Sequence, residues 1–113
     1  NDWSYRDVQT ISDPSKSCPG HRGQNGLQEF YSLNNFVTTL LGPSKSSADV
    51  INEKDFLLKR LDDCKQVTGL DTNFVNIDFW QRGDTPEVAQ IVNAERARRR
   101  KRYFNRFLEW IQG

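Results

Sequence analysis

A carboxylate inside an apolar segment is the best candidate in this sequence for acid–base chemistry. Asp78 lies between Ile77 and Phe79 in the apolar run 74–79, which predicts a short buried strand. Burying a carboxylate is costly unless a partner compensates its charge. Asp78 is therefore either a functional carboxylate with a partner or a capping or loop carboxylate.

Histidine and cysteine, the usual ligands of structural zinc, are scarce. The chain has one histidine, His21 in a Pro-Gly-His-Arg-Gly loop, and two cysteines. Structural zinc sites take about four Cys or His ligands, so the composition excludes a zinc site of that kind. We assign no metal and no other cofactor to this chain.

The two cysteines form an even pair. Cys18 and Cys64 are 46 positions apart. We favour a disulfide between them, and with it a secreted protein, over two buried free thiols in a cytosolic one.

The chain reads as strand, loop, helix, strand, loop, helix. With 113 residues it is one domain or a piece of one. This alternation predicts an α/β fold with parallel strands. Two or three strands leave sheet edges bare, so we expect the chain to pair with another segment.

The element boundaries follow from turn and cap signals. Segment 3–10 is predicted to be a short strand or an extended entry segment, and 11–26 is predicted to be a loop. A strand is predicted over 27–34, followed by an apolar continuation over 36–41 and a loop at 44–47. One helix is expected from a cap at Ser46, Ser47 or Asp49 to Thr68, stopped by Gly69, with a stripe of Val50, Leu57, Leu61 and Cys64. The last helix is expected to have Thr85 as its cap and Pro86 in its first turn. The pattern leaves open whether 86–112 forms one helix or two.

Positive charge is concentrated at the end of the chain. Residues 1–94 hold nine basic and 13 acidic residues, and residues 95–113 hold seven and two. The block from Arg96 to Arg106 is a solvated helix face, a contact for anionic lipid, a protease-processing site or a nucleic-acid site. Nucleic acid is the weakest of these, because the acidic remainder would repel phosphate.

Two segments carry a family resemblance. Residues 72–84, TNFVNIDFWQRGD, with Asn93 further on, resemble the last strand and helix of phosphatidylinositol-specific phospholipase C X-type barrels, which typically have Asn-Phe, two apolar residues and Val-Asp-Phe there. Residues 30–36, FYSLNNF, resemble the penultimate strand. The stretches around Cys18, Asn52 and Cys64 are similar to the secreted fungal and bacterial branch.

The resemblance implies that residues 1–93 are the C-terminal part of a (β/α)8 TIM-type barrel, with 94–113 as a basic and then amphipathic helix. The remaining strands would come from an N-terminal chain or segment that carries a catalytic histidine pair. Asp78, at the carboxyl end of its strand, would orient the general-base histidine. The substrate would be a phospholipid or another phosphodiester.

The same resemblance marks binding residues. Trp80 would stack on a sugar or inositol ring, Arg82 would pair with phosphate, and Asn34 and Asn35 would hydrogen-bond substrate hydroxyls or shape a turn. His21 matches neither catalytic histidine, and Asn35 stands where relatives often have histidine. The isolated chain is therefore not expected to catalyse the reaction. A non-catalytic protein that binds glycan or lipid headgroups is the alternative function.

Overall fold

The computed structural model describes residues 4–20 and 30–112. They form a mixed α/β fold with small sheets. The elements are α1 (Val8–Ser12), α2 (Pro14–Ser17), β1 (Tyr31–Asn35), β2 (Thr38–Thr39), β3 (Gly42–Pro43), α3 (Lys45–Ile51), α4 (Lys54–Thr68), β4 (Thr72–Ile77) and α5 (Thr85–Gln112).

Strands β1 and β4 are parallel neighbours, as the α/β alternation predicts. Leu33 pairs with Val75 and Asn34 with Asn76. One face of β1 is buried through Tyr31 and Leu33. The other face of the pair is open to solvent, which explains why Phe74, predicted to be buried, is 63% exposed.

The predicted disulfide is present. Cys18, at the end of α2, is bonded to Cys64 in α4, and both are buried. They form a core cluster with Tyr31 and Leu33. A second cluster contains four buried side chains from α1, α3, the segment before α1 and the segment after β1, which are Tyr5, Ile11, Val37 and Ile51.

The predicted helix that ends at Thr68 is two helices. Ser44 caps α3 by accepting the Ser47 N–H at 3.2 Å, so the predicted loop 44–47 is mostly helical. Glu53 caps α4 by accepting the N–H groups of Asp55 and Phe56. The break turns Ile51 into the core instead of the predicted Val50, which is 47% exposed. Gly69 ends α4 with φ at +73°, as predicted.

The N-terminal prediction of a strand followed by a loop is partly wrong. Tyr5 makes a single parallel bridge with Val37, but α1 and α2 follow it directly. Asp7 accepts the Thr10 N–H at 2.7 Å and Asp13 accepts the Ser15 N–H at 3.1 Å, so each short helix has an aspartate cap. These local caps outweigh the loose apolar alternation.

The last helix is continuous. It runs through the predicted boundary between residues 93 and 94. The Asp84 carbonyl accepts the Val88 N–H at 3.0 Å, so Asp84 occupies the cap position predicted for Thr85. Lys54 Nζ lies 3.6 Å from Glu87 Oε1, and Arg99 Nη2 lies 3.7 Å from Asp71 Oδ1. Because α4 begins at Lys54 and β4 follows Asp71, α5 runs alongside α4 and antiparallel to β4.

A buried arginine connects the two core clusters. Arg60, in α4, is 4% exposed. Its Nε donates to Asn35 Oδ1 at 3.1 Å, and its Nη2 donates to the Asn34 carbonyl at 2.9 Å. Its Nη1 donates to Ser17 Oγ at 2.7 Å, and the guanidinium lies 5.4 Å from the centre of the Tyr5 ring. Burial lowers the pKa of Arg60.

We expect loss of the disulfide to destabilise the chain strongly. Replacing Cys18 and Cys64 with alanine reopens a loop of 46 residues, which corresponds to about 4 kcal/mol in the chain-entropy model. Urea unfolding with and without reductant measures this difference. The urea midpoint of the double variant should be the same with and without reductant. An unchanged urea midpoint in the reduced native chain would contradict the expectation.

We expect Arg60→Lys to lower the free energy of unfolding by about 3 kcal/mol, because lysine cannot reproduce the planar set of donors and leaves buried acceptors unpaired. The matched control is Lys59→Arg on the exposed side of the same helix, which should change stability by less than about 0.5 kcal/mol. Urea unfolding of both variants makes the comparison. Equal free energies of unfolding for the two variants would show that the hydrogen bonds of Arg60 do not contribute to stability.

Candidate active site

Parallel pairing brings the candidate residues to one edge of the sheet. β1 ends at Asn35 and β4 ends at Ile77, and these two residues are register partners. Asp78 directly follows β4. Ligand sites of α/β folds form at the carboxyl ends of parallel strands. We refer to this end, with the turn 78–84, as the carboxyl edge.

Asp78 is half-buried and incompletely hydrogen-bonded. Its Oδ1 is inaccessible to solvent and has no hydrogen-bond partner among the described residues. Burial raises the pKa of the Asp78 carboxyl, and a hydrogen bond from its own backbone N–H acts in the opposite direction. The carboxylate therefore has an unfilled acceptor position at the end of β4.

Asn52 holds the turn in place. Its Nδ2 donates to the Asp78 carbonyl at 3.1 Å, and its Oδ1 accepts from Asn35 Nδ2 at 3.2 Å. Its carbonyl accepts the Asp84 N–H at 2.9 Å. Asn35 Nδ2 also donates to the Ile51 carbonyl at 3.1 Å. One side chain thus connects the end of β1, the break between α3 and α4 and the turn after β4.

The backbone of the turn is restricted at two positions. Phe79 has φ at +45°, an uncommon value for a bulky residue. Gly83 has φ at +102°, and a Cβ at that position would lie 2.6 Å from the Asn52 carbonyl oxygen. Lys45 Nζ lies 5.8 Å from the centre of the Phe79 ring. The turn therefore has a specific conformation that requires glycine where it passes Asn52.

Arg82 already has a carboxylate partner. Its Nε and Nη2 donate to the two oxygens of Asp49 at 2.7 and 2.6 Å. This hydrogen-bonded pair lowers the pKa of Asp49 and raises the pKa of Arg82. Both side chains are about half exposed. A phosphate group at Arg82 would therefore compete with Asp49 or share the guanidinium with it.

The two neighbouring asparagines lie on opposite faces of the sheet. Asn76 Nδ2 donates to Ser32 Oγ and to Asn34 Oδ1, both at 2.9 Å, on the open face. Asn35 is fully buried on the other face and is hydrogen-bonded to Asn52 and Arg60. Asn34 is thus at the open face, whereas Asn35 is positioned to support the edge from behind.

Of the remaining predicted residues, one lies on the turn of the carboxyl edge and the other lies outside the described residues. Trp80 is 61% exposed on the turn. His21 lies outside the described residues. Within residues 4–20 and 30–112, no group of three His, Cys, Asp or Glu side chains could hold a metal ion.

No family model, curated protein or solved structure matches the chain.

Three supporting residues were not identified from the sequence pattern. Arg60 falls on the helical stripe of Leu57, Leu61 and Cys64, a position that could have suggested a buried guanidinium. Asn52 is followed by Glu53, a sequence compatible with a helix break and a new cap. Asp49 was predicted only as a possible helix cap, a role that Ser44 and Glu53 take instead, because its pairing with Arg82 depends on tertiary structure alone.

We expect Asp78→Asn to stabilise the chain at neutral pH. The pKa of Asp78 is raised above its ordinary value of 3.8, so the ionised carboxylate destabilises the folded state at a pH above the raised pKa. The amide removes that penalty. The gain in Tm should be complete at neutral pH, narrow as the pH falls through the raised pKa, and disappear below about 3.8.

Thermal melts across this pH range test the expectation. The control is Asp62→Asn on the exposed side of α4. A neutral-pH Tm for Asp78→Asn at or below that of the unmodified chain would show that the carboxylate is not destabilised by burial.

Proposed function

We propose that this chain is the C-terminal part of a secreted phosphodiesterase similar to phosphatidylinositol phospholipase C. The observation that carries the proposal is the unfilled acceptor of Asp78 at the carboxyl edge. Because Oδ1 is inaccessible to solvent, a donor from another segment reaches it only when the turn 78–84 shifts to admit that donor. An imidazole N–H is the donor that would make Asp78 useful in catalysis. A carboxylate that accepts this N–H fixes the histidine tautomer and stabilises the imidazolium.

The uncovered face of the sheet favours the presence of a second segment. Parallel sheets are generally covered on both faces, whereas β1 and β4 are covered on one. The open face carries polar side chains, with Ser32 and Asn34 hydrogen-bonded through Asn76. In the proposal, additional strands from an N-terminal chain or segment extend this pair into a TIM-type barrel and place a histidine beside Asp78.

The proposed reaction uses two histidines from that segment. The base histidine takes the proton of a substrate hydroxyl, whose oxygen forms a bond to phosphorus. The bond from phosphorus to the leaving alcohol breaks, and the acid histidine protonates that alcohol. Asp78 remains ionised and orients the base. It is a positioning residue, because it acts through the histidine.

Residues of the turn and the open face have substrate roles in this proposal. Trp80 offers an exposed ring for stacking on a sugar or inositol. Arg82 binds the phosphate while retaining Asp49 as its partner, and Asn34 binds a substrate hydroxyl. Asn35 supports the edge from behind instead of contacting substrate, because its amide is used within the core. The disulfide is compatible with secretion.

A binding protein without catalysis is the second candidate. It is favoured by the exposed Trp80 close in sequence to the Arg82–Asp49 pair, since this combination suits a glycan or a lipid headgroup. This candidate needs no histidine at Asp78. Activity of the assembled protein distinguishes the two.

We expect Asp78→Asn to reduce kcat of the assembled protein on the order of 10⁴-fold, by analogy with loss of the orienting aspartate in a catalytic triad. The assay uses the native protein with every polypeptide that co-purifies, identified by intact mass, and phosphatidylinositol in mixed micelles. Asp78→Glu should restore part of kcat and change its pH profile, because a carboxylate again contacts the base.

The control is Asp71→Asn, at the opposite end of β4 from Asp78. It should leave kcat unchanged within about threefold, a difference of less than 1 kcal/mol in activation energy. Full activity of Asp78→Asn would contradict the positioning role. Substrate binding without turnover by the unmodified protein would support the binding candidate.

A further inference from the structure

The last part of α5 extends beyond the sheet. Arg99 pairs with Asp71, just before β4 begins, and the helix continues to Gln112. At 1.5 Å per residue this adds about 20 Å. We call residues 100–112 the distal helix. Five of its large apolar side chains are more than half exposed, and they are Tyr103, Phe104, Phe107, Trp110 and Ile111.

The distal helix has two distinct faces. Successive residues turn by about 100°, so Phe107 lies about 100° around the helix from Val88, the buried residue of the first turns. Val92 and Arg96, at about 40° and 80° from Val88, are half-buried against the body, so the apolar face of the distal helix continues the side that packs on the body, beyond the end of the sheet. Arg98 and Arg102 lie about 180° and 140° around the helix from Phe107, and Arg106 lies about 100° from it, at the border between the two faces.

The arginines form a site for negative charge. Arg99, Arg102 and Arg106 line a shallow cavity of about 200 Å³ with Tyr103. Residues 95–113 carry seven basic and two acidic side chains. The distal helix thus combines cationic and aromatic surfaces within four turns.

We propose that the distal helix binds an anionic lipid surface, with its aromatic side chains inserted from the end that projects beyond the sheet and the arginines at the headgroups. Basic residues opposite Trp, Phe and Leu are the pattern of interfacial helices. A protein interface would instead have a charge-depleted core with a polar rim. In the part of the chain that the structure describes, no helix is long and apolar enough to cross a membrane.

This site is separate from the carboxyl edge, and the proposal does not rest on the proposed enzymatic function. The test is co-sedimentation of the native protein with large vesicles of phosphatidylcholine, with and without phosphatidylserine. We expect binding to the anionic vesicles and little to the neutral ones. Raising salt from about 0.05 M to about 0.5 M should weaken binding, because it screens surface charge.

Matched variants separate charge from apolar contact. Replacing Arg98, Arg102 and Arg106 with glutamine should weaken binding on the order of 100-fold, whereas replacing Lys16, Lys45 and Lys59 should have little effect at the same change in net charge. Phe107→Gln with Trp110→Gln should weaken binding at least about tenfold. Its control is Leu40→Gln with Leu41→Gln, because those large apolar side chains are exposed elsewhere, at the tip of the β2–β3 hairpin.

Three results would overturn the proposal. The first is equal binding to neutral and anionic vesicles, or no binding at low salt. The second is an equal loss of binding in the variants and their controls. The third is a change of oligomeric state in the Phe107 and Trp110 variant without any vesicle binding, seen by sedimentation velocity, which would assign the aromatic face to a protein contact. Circular dichroism checks that each variant remains folded.

Discussion

The buried guanidinium of Arg60 is the constraint on which the arrangement of this chain depends. Its charge is compensated by neutral acceptors, with the Asn35 side chain and the Asn34 carbonyl on β1 and the Ser17 hydroxyl on α2. Removing such a charge from water is costly, and these acceptors reduce the cost only in one relative placement of the segments. The disulfide between Cys18 and Cys64 fixes the same helices one turn further along α4.

The carboxyl edge follows from this arrangement. Arg60 orients Asn35, Asn35 orients Asn52, and Asn52 holds the carbonyl of Asp78 and the N–H of Asp84. Asp84 in turn accepts the Lys54 N–H at the start of α4. The turn that carries Asp78 is therefore supported by hydrogen bonds from the core. Such support keeps a partly desolvated carboxylate in place although its burial is unfavourable, an arrangement typical of functional sites.

The sequence predicted local features better than side-chain partners. The parallel pair, the Cys18–Cys64 bond and the stop at Gly69 each have a strong local signal in alternation, cysteine number or glycine. The helix break at Asn52 was missed because apolar spacing on either side permits one continuous helix. The roles of Arg60 and Asn52 depend on atoms more than 15 residues away, so charge and amide types alone did not predict them. The histidine expected beside Asp78 remains a prediction.

The direction of α5 has a consequence for orientation. The helix begins at the carboxyl edge and ends past the opposite end of the sheet, about 40 Å away for its 28 residues. A chain held to a bilayer by its far end would point Asp78 and Trp80 toward the aqueous phase. The site would then reach diesters in solution or on an apposing surface more readily than the lipids directly beneath it.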